Sequence, residues 1–123
     1  MSSTVRTFLL VEALAFGFAS LAHRGILVEG YYHQGAYTAE TVIALVLALG
    51  LVVGLLAPGR ARPTAIAAQA FALLGTCVGL LTIAIGVGPR TVPDVVYHLA
   101  IVAVLVWGLV VAVRERRAGA ASD

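Results

Sequence analysis

Two of the three histidines in this chain, His23 and His98, stand inside long apolar stretches, as does the acid Glu12. Glu40 and Asp94 open two further apolar stretches. Such side chains are expensive at membrane depth, so each is by default a functional candidate. Two imidazoles at one depth could ligate a haem iron from both faces. Two imidazoles and a carboxylate, His23, His98 and Glu40, could instead hold zinc or another divalent transition metal, with Asp94 orienting a ring nitrogen. The same groups could hydrogen-bond a quinone or another lipid-soluble molecule, because histidine titrates in the useful range. No HExxH motif, paired-histidine run or haem signature is present, and no nucleophile–base pair is legible, so catalysis does not follow from spacing.

These residues must be positioned by the apolar segments that carry them. About 20 predominantly apolar residues cross a hydrocarbon core at roughly 1.5 Å each. Four stretches qualify: residues 8–27, 40–57, 64–87 and 93–113. Backbone groups facing lipid must be satisfied within the segment, and no stretch alternates as a barrel strand does. The expected fold is therefore a single all-α domain over residues 1–123, an antiparallel four-helix transmembrane bundle with a short tail at 114–123. Thr38 is the expected N-cap of the second helix, and Pro93 suits the first turn of the fourth. Pro58-Gly59 and Gly86 with Gly88-Pro89 end the second and third. Short connections there make antiparallel neighbours, whereas residues 28–39 form a longer loop rich in glycine and tyrosine.

Composition supports this reading and excludes others. Of the 123 residues, 61% are hydrophobic and 11% charged, with a mean hydropathy of +1.03. A soluble domain of this size carries roughly 25% charged residues to cover its surface. The net charge of +2 comes from arginine alone, without a basic stretch interleaved with aromatics, so a nucleic-acid partner is not expected. Arg6, an apolar run and Ser20-Leu21-Ala22 resemble a secretory signal, but Glu12 breaks that run, and the segment reads as a membrane helix. Arg6, Arg60, Arg62, Arg114, Arg116 and Arg117 fall at one end of the bundle, Arg24 and Arg90 at the other. Positive charge is retained inside, so both termini are expected on the cytoplasmic side of the cytoplasmic (inner) membrane. Tyr31, Tyr32, Tyr37 and Tyr97 then gather at the outer interface, and Trp107 is the nearest inner anchor. Cys77, the one cysteine, reads as a small packing residue.

Helical rise refines the site. Glu12 lies roughly 8 Å inward of the first midpoint, while His23 and His98 each lie roughly 8 Å outward of theirs. Asp94 and His98 are four apart and share a stripe, and Glu12 and His23, three turns apart, share another. The expectation is an outward pocket that binds ligand through His23, Glu40, Asp94 and His98, with Glu29, His33 and the tyrosines at its rim. Glu12 is a separate buried acid suited to a proton relay. The plainer alternative is that these groups only tie helices together, each hydrogen bond contributing about 0.6 kcal/mol.

Four spans in a short chain, with a carboxylate early in the first, resemble the small multidrug resistance family, in which that carboxylate exchanges protons for cationic drugs. The resemblance implies proton-coupled transport with Glu12 at the matching position. The third span lacks the family's aromatic and glycine pattern, and the arginine bias opposes an antiparallel dual-topology dimer, so membership is not claimed. A non-catalytic accessory subunit of a larger membrane complex is a third class. Gly50-x-x-x-Gly54 and Gly75-x-x-x-Gly79 match the close-packing motif and are read as intrachain faces, with a homo-oligomer interface as the other use.

Overall fold

A computed structural model describes residues 1–115, and the expected tail beyond Glu115 lies outside them. Over the described residues the chain is helical without strands: α1 (Ser3–His23), α2 (Gln34–Leu56), α3 (Ala61–Ala84) and α4 (Val92–Arg114), with a 3-10 turn at Pro58–Arg60 before α3. Each helix is long and apolar enough to cross a membrane. Consecutive helices pack side by side and α4 closes against α1, leaving α1 and α3 diagonally opposed.

The helix ends follow local chemistry more than the apolar runs do. α1 starts at Ser3 rather than residue 8, because the Ser2 hydroxyl accepts from the Val5 N–H. It stops at His23, four residues before the apolar run ends, where Gly25 takes a φ of +74°. α2 begins at Gln34, not at residue 40, and its N-cap is His33 rather than Thr38. The His33 Nδ1 accepts from Ala36 N–H at 3.1 Å, while the Thr38 hydroxyl donates to the Gln34 carbonyl one turn back. α4 opens with a capping box between Thr91 and Asp94, and Pro93 lies in its first turn as expected.

Small residues set the interhelical distances. A Cβ on Gly50 would lie 2.7 Å from the Ala68 Cβ, and one on Gly75 would lie 2.7 Å from Ile43 Cδ1. Both therefore join α2 to α3 within one chain, as the motifs predicted, and Gly54 receives the Met1 side chain. Ala65, Ala68 and Ala72 bring α3 against a core of Leu9, Phe16, Leu47 and Leu105.

The polarity is inverted relative to a soluble bundle. Glu12, Ser20, His23, Glu40, Gln69, Thr76, Asp94 and His98 are buried, whereas Phe18, Leu45, Leu74, Leu81 and Trp107 are exposed. Water would penalise such a surface, while a hydrocarbon solvent favours it. Cys77 also faces outward rather than packing in the core. The α3 stripe that faces inward carries Ala72, Thr76 and Ile83 instead.

Candidate functional site

His23, the last residue of α1, is buried between two carboxylates from different helices. Its Nδ1 lies 2.8 and 2.9 Å from the two oxygens of Glu40, and its Nε2 lies 3.0 Å from Asp94 Oδ1. Ionised carboxylates only accept hydrogen bonds, so both ring nitrogens carry protons and His23 is an imidazolium when both acids are ionised.

Further groups hold this geometry. Asp94 Oδ2 accepts from the Thr91 N–H at 3.1 Å and from the Thr91 hydroxyl, so the capping box of α4 also orients the acid toward His23. Tyr31 stacks on the His23 ring, with centroids 5.1 Å apart and planes inclined by 16°, and its phenol pairs with Thr91. Burial pushes the Tyr31 phenol above its ordinary range and keeps it neutral. The His23 carbonyl accepts from the His33 N–H at 2.9 Å, closing residues 24–33 into a tight connection.

His98 sits one turn deeper on α4. Its Nδ1 donates to the Asp94 carbonyl at 2.8 Å. In the neutral ring this leaves Nε2 as an acceptor. That atom makes no hydrogen bond among the described residues, and it faces Gly79, where an added Cβ would stand 2.9 Å away. His98 and Glu40 line a cavity of about 270 Å³ with Phe16, Ile43, Thr76 and Gly79. His33 closes one side, because its Nε2 donates to the Val87 carbonyl at 3.3 Å while its Nδ1 caps α2.

Of the four expected ligand-binding residues, His23, Glu40 and Asp94 therefore meet directly, and His98 joins through the Asp94 backbone. The described residues lend the metal and haem expectations no support. Both nitrogens of His23 are occupied by carboxylates, which leaves one unspent imidazole nitrogen between the two histidines, on His98. Among the described residues no three His, Cys, Asp or Glu side chains are arranged to hold a metal ion. The placement of Tyr97 is corrected. Its hydroxyl is buried in the bundle with no partner among the described residues, and its ring meets Phe16 and His98 edge-on at 6.1 and 5.5 Å.

Glu12 is separate from this cluster, as expected, and wholly buried. The Gln69 amide donates to both of its oxygens at 3.1 Å across the α1–α3 diagonal. Gly108 of α4 makes the room, since a Cβ there would lie 2.3 Å from Gln69 Nε2 and 2.5 Å from Glu12 Oε1. Sequence reasoning missed Gln69, although an amide in the middle of an apolar stretch was a readable signal. It also missed Thr91 as an orienting group, although T-x-x-D is a capping signature. The chain matches no protein-family model, no curated protein and no solved structure.

Proposed function

We propose that this chain is a small membrane-embedded binding protein whose cavity beside His98 takes a lipid-soluble molecule bearing a hydroxyl or N–H donor. The observation that carries the reading is the unspent His98 Nε2, an acceptor facing a largely apolar space. A dry cavity of about 150 Å³ holds benzene, and ligand pockets begin near 300 Å³, so the volume of about 270 Å³ suits a single substituted ring. The His23–Glu40–Asp94 cluster positions the ligand indirectly. It fixes the start of α4, whose Asp94 carbonyl sets the His98 tautomer, and it holds Glu40 at the cavity wall. A resident metal or haem finds less support, because those donors are already committed to one another.

The inverted polarity favours a bilayer, and the arginine distribution favours the cytoplasmic membrane with both termini inside. The cavity then opens in the outer half of the bundle. Glu12 is read here as a helix tie, since an amide from Gln69 occupies both of its oxygens.

An alkylphenol and its methyl ether, measured by calorimetry on the purified chain in detergent, test the site. The phenol should bind the wild type about tenfold more tightly than it binds His98→Leu, the factor expected from one buried hydrogen bond. The ether should bind both proteins alike. Equal phenol affinity for the two proteins would sink the reading.

A further inference from the structure

A second recess lies on the outside of the bundle, between α1 and α2, and it is chemically unlike the His98 cavity. Its floor is made of small residues, Ala13, Gly17 and Ala44, and its walls of Leu14, Phe18 and Leu45, with a volume of about 420 Å³. At one end stands Arg24, the residue that caps α1. The guanidinium is not free to wander. Its carbon lies 4.6 Å from the centre of the Tyr37 ring, Nη2 donates to the Thr41 hydroxyl at 3.3 Å, and Nε approaches the Ser20 hydroxyl at 3.5 Å. Ser20 and Thr41 are themselves 2.7 Å apart. Among the described residues no carboxylate pairs with Arg24, and the buried acids Glu40 and Asp94 are taken by His23.

We propose that this groove is a binding site for an anionic phospholipid of the surrounding bilayer, one acyl chain lying along α1 and α2 and the phosphate meeting Arg24. Charge complementarity selects the occupant. A fixed, exposed guanidinium at the end of a membrane-length helix sits at headgroup level, and its planar fork matches phosphate oxygens. A second copy of the chain fits poorly, because a two-fold contact through this face would bring two Arg24 guanidinia together with no acid between them. Gly17 supplies an independent observation. A Cβ there would meet nothing within 4 Å, so no helix contact requires the glycine, yet its missing side chain keeps the groove open.

Native mass spectrometry of the full chain, released from micelles with equal amounts of phosphatidylglycerol and phosphatidylcholine of matched acyl chains, tests the site. The wild type should retain the anionic lipid about fivefold over the zwitterionic one, the preference expected from one cation at a membrane surface. Arg24→Gln should bring that ratio to near one while Arg24→Lys keeps most of it. Gly17→Leu, whose Cβ meets no packed neighbour and whose side chain extends into the groove, should lose both lipids while the protein still melts cooperatively near the wild-type temperature. Equal retention of the two lipids by the wild type overturns the proposal, as does an undiminished preference in both Arg24→Gln and Gly17→Leu. A wild-type dimer that Gly17→Leu converts to monomer would make a second copy the occupant and overturn it too.

Discussion

At the scale of single residues, His23 is the group on which most others depend. Removing it leaves Glu40 and Asp94 buried without the ring that pairs with both. Breaking a buried ion pair from one side costs about 3–5 kcal/mol, far above the average membrane hydrogen bond. His23→Leu should therefore lose about that much stability in a denaturant titration in mixed micelles, and a loss below about 1 kcal/mol would contradict the charged cluster. Thr91→Ala removes the N-cap acceptor of α4 and one partner of both Asp94 and Tyr31. A loss of about 1 kcal/mol is expected from the cap alone, measured in the same titration. The histidine spacing was legible before the fold was known, but the pairing was not. Depth arithmetic placed His23 and His98 level, whereas the carboxylates claim both nitrogens of one ring and leave the other ring a turn away.

At the scale of helices, two different contacts hold the bundle. Neighbours meet through glycine and alanine, and the diagonal pair α1 and α3 meets through Glu12 and Gln69. Gly108 of α4 is where these contacts intersect. Gly108→Ala should cost about 1–3 kcal/mol by overpacking, because its Cβ would displace the Gln69 amide and the Glu12 carboxyl. Gly17→Ala should be nearly neutral, since its Cβ meets open space. A melting series that ranks the two substitutions in the opposite order would contradict the packing described. The diagonal tie itself is tested by a double-mutant cycle. Gln69→Leu leaves a buried carboxyl without its donor, so adding Glu12→Leu should recover stability rather than lose more.

At the scale of the whole molecule, orientation is the open physical quantity. Glu29 lies in the exposed connection after α1, and Gly59 in the turn before α3, where an added side chain meets nothing. In a Cys77→Ser background, Glu29→Cys should react with an impermeant maleimide added outside intact cells. Gly59→Cys should react only after lysis. The reverse pattern would show that the arginine bias does not set the topology of this chain.

The sequence by itself determined the helical class, the number of helices long and apolar enough to span a membrane and the inward placement of the polar residues. Those follow from composition and from a rise per residue that does not depend on context. It also made the glycine pairs legible as close-packing positions, because a residue without a side chain lets helices approach. The ends of α1 and α3 and the start of α2 were misplaced by three to six residues while those of α4 fell within one, since hydropathy reports what lipid tolerates while groups such as Ser2, Gly25 and His33 decide where the hydrogen-bond ladder starts and stops. The partners of His23 and Glu12 were decided by tertiary structure alone, whereas that of His98 is the Asp94 carbonyl one turn back on the same helix. Both have acceptors or donors on helices far away in sequence, and which groups meet depends on the rotation of each helix in the bundle. That rotation is fixed by packing among Gly50, Gly75, Gly108 and their neighbours, a property of four helices together and of none singly.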